Sequence, residues 1–276
     1  MLGAEQVDAV DICTPTPLNV EMVKVAAQAG KPILLEKPIA RDLKEADEII
    51  RTAKKRKALL MVAHVLRFWP EYVTIRKILD EGQIGKVLSA SATRMCQNPK
   101  WTAWYADPSQ SGGALVTLGI HDFDFCNSAF GAPKSAYALG TRGPQGGWDD
   151  ATSLVRYESG VEVCFKASIA MPEAFPFTMA FRAVGERGAI DYLFKAGHNI
   201  ENKADWRDEF FLYRDGKMTL PQVEKKDAFL AEIEHFLACV REKKEPTHGR
   251  PEQARLALKV ALACRAALED GRTKKV

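Results

Sequence analysis

Pro32-Ile33-Leu34-Leu35-Glu36-Lys37-Pro38 is an apolar run that ends abruptly in a charged pair and a proline. A strand that is apolar at successive positions, not alternate ones, is buried on both faces, as strands of parallel sheets are. The flanking sequence repeats the pattern. Upstream, Val7-Asp8-Ala9-Val10-Asp11-Ile12-Cys13 reads as a short strand closed by Thr14-Pro15-Thr16-Pro17. The helix after it keeps Val20, Val23 and Ala27 on one face and stops at Gly30. Downstream, Asp42 and Glu45 make a capping-box-like start. Leu43, Ala46, Ile49, Ile50 and Ala53 form an apolar stripe, and Lys54 to Lys57 load the last turn with positive charge. A third strand is expected from Leu59 to Val65. Strand, helix, strand, helix, strand is half of a six-stranded doubly wound α/β sheet covered by helices on both faces.

Past Arg67 the pattern changes. Tyr72 to Glu81 reads as a helix ended by Gly82 and Gly85. Strands after Lys86 alternate more and are joined by tight turns. Ser153–Tyr157 and Val161–Ile169 flank Glu158-Ser159-Gly160, and Phe211-Leu212-Tyr213 runs into Arg214-Asp215-Gly216-Lys217; both are hairpin signals. Gly113 to Phe130 reads as a helical segment apolar on several sides. Phe229, Ile233, Phe236, Leu237 and Val240 recur at helical spacing. A last helix runs from Pro251 to about Asp270, with Gly271 as its stop. The expected class is α/β plus α+β: a partial doubly wound parallel sheet over residues 1–67, then a larger domain, 68–276, with a mostly antiparallel open sheet and helices.

The bulk properties narrow the function. With 46% hydrophobic and 27% charged residues in 276, the chain has the composition of a globular protein. Thirty-nine basic against 36 acidic residues give only +3, which does not predict a nucleic-acid or membrane partner. Six cysteines without CxxC spacing read as buried thiols of a reducing compartment, and the start, Met1-Leu2-Gly3-Ala4-Glu5, is not a signal peptide. No apolar run reaches a membrane span. The expected location is the cytoplasm. His64, His198, His235 and His248 show no metal-ligand spacing, so no metal is expected.

Glu36-Lys37-Pro38, the strand ending Cys13-Thr14-Pro15, and the run from Gly112-Gly113 to His121-Asp122-Phe123-Asp124 together resemble the Gfo/Idh/MocA oxidoreductase family. Arg67-Phe68, Gly82-x-Ile84-Gly85 and the ending Phe229 to Gly271 extend the resemblance along the whole chain in order. It implies a Rossmann-type cofactor domain, NAD or NADP as cofactor, a sugar or polyol substrate oxidised at a secondary alcohol, and a homo-oligomer built through the open face of the second sheet.

The resemblance places Lys37 beside nicotinamide and substrate as a catalytic group. Glu36 and Pro38 belong to the same strand-end motif, and Thr14 and Pro15 form a turn over the cofactor. Physically, Lys37 ends a parallel strand, where ligands bind in open α/β sheets. A buried lysine there can donate to a hydroxyl or take its proton. Its alternative is a solvated lysine at a strand end. His121 is placed on the substrate as the acid–base group; its alternative is a core histidine bonded to a neighbour. Asp124, three residues on, is expected to orient the ring or bind substrate, while Asp122 points elsewhere. Many relatives carry an aspartate where this chain has Thr117, which can hydrogen-bond but holds no charge. Asn19 stands where relatives often have a histidine. Arg94, Trp101, Trp104 and Tyr105 suit a sugar pocket, through ring stacking and guanidinium bonds, and suit plain packing as well.

No G-x-G-x-x-G precedes Val7, and the glycine-rich run from Gly140 to Gly147 reads as a loop. Such an enzyme needs a phosphate cradle, so two to three strand–helix units, roughly 50–70 residues, are expected to be missing, leaving the parallel sheet short of cover. The alternative reading is a truncated or degenerate, non-catalytic binding or oligomerisation subunit.

Overall fold

The computed structural model describes residues 6–98, 103–196 and 206–276. Trp101 and His198 lie outside them. The first unit is a parallel sheet of β1 (Val10–Ile12), β2 (Ile33–Glu36) and β3 (Leu60–Ala63), in that spatial order. Its strands are shorter than the sequence suggests: residues 7–9 do not pair, and past Ala63 the chain enters a 3-10 turn. Helices α1 (Asn19–Gln28) and α2 (Leu43–Arg56) cover one face, burying Val23, Ala46 and Ile49 against Ile33, Leu35 and Val62. The α2 cap forms as expected: the Asp42 side chain accepts from the Glu45 backbone N–H.

The expected loss of cover does not occur on the opposite face. There α8 (Ala228–Glu242), from the far end of the chain, packs Phe236 onto Leu34, Met61 and Ala63. The free side of β3 is met by the backbone before α9 (Pro251–Asp270), where the Val62 N–H donates to the Gly249 carbonyl at 2.7 Å. Gly249 has φ +70°, and a Cβ there would lie 2.5 Å from the Val62 oxygen, so the close approach requires glycine.

Beyond a 3-10 turn at Val65–Arg67, α3 (Pro70–Asp80) leads into β4 (Val87–Gln97). The short helices α4 (Ala103–Ala106), α5 (Pro108–Ser111) and α6 (Gly113–Thr117) then precede α7 (Ile120–Phe130). Then come β5 (Pro133–Arg142), β6 (Trp148–Tyr157), β7 (Glu162–Met171), β8 (Thr178–Gly185), β9 (Gly188–Lys195), β10 (Arg207–Arg214), β11 (Lys217–Thr219) and, after the terminal helices, β12 (Lys274–Lys275). Among the described residues nine strands form one sheet, in the order β11-β10-β9-β8-β4-β7-β6-β5-β12. Both expected hairpins are present, pairing β6 with β7 and β10 with β11. All neighbours are antiparallel except β4 and β7, which run parallel at the centre of the sheet.

Helices α6, α7 and α9 cover the face carrying Ala151, Val155, Phe165 and Ala167. The other face leaves Leu139 and Leu154 exposed. Two helix readings are corrected. Gly113–Phe130 is two helices, broken at Leu118-Gly119, where a Cβ on Gly119 would press on the Leu115 carbonyl and on Ala167. In α8 the buried stripe is Ala228, Glu232, Phe236 and Cys239, while Phe229 and Ile233 are exposed. That helix carries apolar residues on more than one side, so periodicity alone does not pick its buried face.

Candidate active site

Lys37 follows the last residue of β2, and its peptide bond to Pro38 is cis. The local backbone is held from both sides. Asn19 Nδ2 donates to the carbonyls of Pro38 (3.1 Å) and Ile39 (3.3 Å), and the Lys37 N–H donates to Glu36 Oε2 (3.1 Å). The Lys37 side chain then crosses to the second unit, where Nζ donates to the Thr117 carbonyl at 3.1 Å. That carbonyl sits at the break between α6 and α7, one turn before His121. Lys37 and His121 line the same cavity, of about 230 Å3.

The apolar lining includes Trp69, Leu118, Phe177 and Met179, and the polar side chains that reach the cavity are Glu36, Lys37, Arg94, His121 and Glu232. Burial dominates their electrostatics. It drives His121 well below the ordinary histidine value, helped by the charges of Lys37 and Arg94, so the imidazole is neutral at pH 7. Its Nδ1 is buried without a partner. Burial also lowers Lys37; Glu36 opposes that shift, and Arg94 adds to it. Glu36 is raised, again by burial, against the pull of Lys37.

The other candidates divide. Arg94 reaches the cavity, but its Nε and Nη2 both donate to Asp122, each at 2.9 Å. Asp124 does not line the cavity. It accepts from Arg67 Nε (2.6 Å) and Nη2 (2.9 Å), with His64 Nδ1 at 3.8 Å. Burial raises Asp124, but His64 and the Arg67 bonds outweigh it and hold the carboxyl below its usual range. Thr117 offers its carbonyl to Lys37, while its hydroxyl donates to the Gly113 carbonyl (2.9 Å) and meets the Tyr105 phenol. Trp104 packs on Tyr105 at 5.0 Å between ring centroids, outside the cavity lining. Thr14 and Pro15 stand at the end of β1, and the Thr14 hydroxyl is buried without a partner. Among the described residues no group of three His, Cys, Asp or Glu is placed to hold a metal ion.

Glu232 is the residue that sequence reading missed. It is 3% exposed, its Oε1 has no hydrogen-bond partner, and burial, with the nearby charges of Glu36, Asp11 and Asp124, pushes its carboxyl up to about 8. The available signal was its place in α8, three residues after Phe229 and four before Phe236, on the apolar side of a helix.

Two family models match successive stretches of the chain: an oxidoreductase-family model described as an NAD-binding Rossmann fold matches residues 1–64, and the GFO/IDH/MocA C-terminal domain matches 72–191. D-apiose dehydrogenase of Paraburkholderia graminis is 30% identical over 99% of this chain and 74% of its own length. The chain belongs to the Gfo/Idh/MocA oxidoreductase family. Inositol 2-dehydrogenase of Rhizobium meliloti is 29% identical over 68% of this Gfo/Idh/MocA chain, a match that spans 58% of the relative. The aldose-aldose oxidoreductase of Caulobacter crescentus, solved with glycerol, superposes with a TM-score of 0.86 over 100% of this chain and 81% of its own, at 21% identity. That likeness confirms the fold.

Proposed function

We propose that the chain serves an NAD(P)-dependent dehydrogenase that oxidises a secondary alcohol of a sugar or polyol in the cavity between Lys37 and His121. The single observation that carries this reading is that Lys37, from the parallel sheet, and His121, from the helical layer of the second sheet, line one small cavity although 84 positions separate them. The cavity is smaller than the ~300–1,000 Å3 clefts of drug-sized ligands, so it suits one small ring or short polyol. The named relatives act on inositol and apiose, which supports the substrate class.

The residues present fit the nicotinamide end of the cofactor. The orphaned, buried Thr14 hydroxyl and the Glu36-Lys37-Pro38 turn stand at the carboxyl ends of β1 and β2, where open parallel sheets bind such groups. When bound, the nicotinamide supplies the hydride acceptor. His121, kept neutral by burial and by Lys37, accepts the carbinol proton. Lys37, fixed by the Thr117 carbonyl, donates to the same oxygen and stabilises the charge that develops as the proton leaves. Arg94, held by Asp122, adds positive potential. Asn19 and Glu36 keep the Lys37 backbone in place. Asp124, Trp104 and the Thr117 side chain belong to the frame around the cavity in this reading.

A division at residue 67 belongs to the same proposal, supported by family models that meet between residues 64 and 72. So does a homo-oligomer formed through the sheet face that exposes Leu139 and Leu154. A cytoplasmic location is supported by six free cysteines; among the described residues no helix is long and apolar enough to cross a membrane. The test is reduced-nicotinamide formation with NAD and NADP over a panel of inositols, aldoses and apiose. Activity in the wild type that disappears in Lys37→Met is the expected result. Activity retained in both Lys37→Met and His121→Asn, or absent throughout the panel, overturns the reading.

A further inference from the structure

The carboxyls of α7 are not available to a ligand. Asp122 is taken by Arg94 and Asp124 by Arg67, each through two bonds. Position 117 is a threonine whose hydroxyl is turned to Gly113 and Tyr105. Glu36 accepts from the Lys37 backbone. Glu36 is thus engaged through one oxygen by the motif that holds Lys37, whereas the second carboxyl on the cavity wall, Glu232, has no such bond at its Oε1. It comes from α8, a different element from His121's helix.

We propose that Glu232 is a substrate-binding, specificity-determining residue that grips a hydroxyl of the polyol from α8, in the cavity it shares with Lys37 and His121. This deepens the dehydrogenase reading and rests on it. The chemistry matches the ligand class. A carboxyl that keeps its proton near neutral pH gives one hydrogen bond and accepts others, as a diol does. Lys37 supplies donors and the neutral His121 one donor and one acceptor, so the three groups offer complementary partners around a ring whose carbon faces meet Trp69 and Phe177. A buried carboxyl with an unmet oxygen is costly to the free fold, which argues for a role outside folding.

The test compares wild type, Glu232→Gln and Glu232→Leu. Calorimetric titration with myo-inositol, D-glucose and D-apiose reads polyol affinity, and titration with NADH reads the cofactor side. The expected result is an affinity for at least one polyol that falls about tenfold in Glu232→Leu, the size of one lost hydrogen bond, and is largely restored in Glu232→Gln. NADH affinity stays unchanged, KM rises while kcat holds within about twofold, and neither variant melts below the wild type. Difference infrared spectra at pH 7 should show a protonated-carboxyl band in the wild type that polyol shifts and Glu232→Gln lacks. Unchanged polyol affinity in Glu232→Leu overturns the proposal while turnover sensitive to Lys37 keeps the dehydrogenase reading standing. A loss of NADH affinity instead of polyol affinity, or no polyol binding to the wild type, also overturns it.

Discussion

The two walls of the cavity treat buried charge in opposite ways. On the wall built by β4 and α7, Arg94 is matched to Asp122, both about 4% exposed or less, and behind it, outside the cavity lining, Arg67 of the Val65–Arg67 turn is matched to Asp124. On the wall built by β2 and α8, Lys37 has a single carbonyl partner for its ammonium and Glu232 has an oxygen with none. Matched pairs hold a shape, whereas unmatched groups keep bonding capacity for a ligand. The paired groups are frame, while Lys37 and Glu232, with His121 reaching in from α7, are the groups left for chemistry, and the contrast can be broken by mutation.

The largest effect on stability is expected on the matched wall. Asp122→Ala leaves Arg94 buried without a counter-charge and should cost about 3–5 kcal/mol in denaturant unfolding; a loss below 1 kcal/mol would erase the distinction between the walls. Lys37→Met should do the reverse, leaving the unfolding midpoint unchanged or higher while turnover falls roughly 10²–10⁴-fold. His121→Asn should lose activity on a similar scale. Because the His121 base works only when deprotonated and its value is depressed, wild-type kcat/KM should stay flat on the acid side until well below pH 6.5, as a pH–rate profile will show.

A smaller effect sharpens the comparison. The Glu232 carboxyl rises from an ordinary 4.5 to about 8 in the fold, so its contribution is fully present below pH 4.5 and is lost as pH rises through about 8. Burial causes most of that rise, and the nearby charges of Glu36, Asp11 and Asp124 supply the rest. Glu232→Gln should therefore gain roughly 1–3 kcal/mol over the wild type at pH 9 and little at pH 5. Glu71, raised to about 7 by burial and by Asp208, adds a slope of the same sign to both proteins, and the difference between them removes it. Smallest of all, Asp47→Asn cuts the exposed pair with Arg255 that joins α2 to α9, and the melting midpoint should stay within experimental scatter.

The parallel sheet was legible because Ile33–Leu35 and Leu60–Val62 are apolar at successive positions and punctuated by turn residues. Lys37 and His121 were legible through the motifs around them. Pairing was not. Both Asp122 and Asp124 sit near His121 in sequence, and only the packing of β4 and of the turn at Val65–Arg67 decides which arginine each receives. Glu232 was hidden for a related reason: α8 is apolar on several sides, so its buried stripe depends on a sheet made some 170 residues earlier in the chain.

That last dependence bears on how the molecule is made. Leu34, Met61 and Ala63 leave the ribosome long before Phe236 exists to seal them, so the early sheet waits, one side bare, through synthesis of β4 to β11 of the larger sheet. Long-range closure of this kind slows folding and invites sticking in the interval.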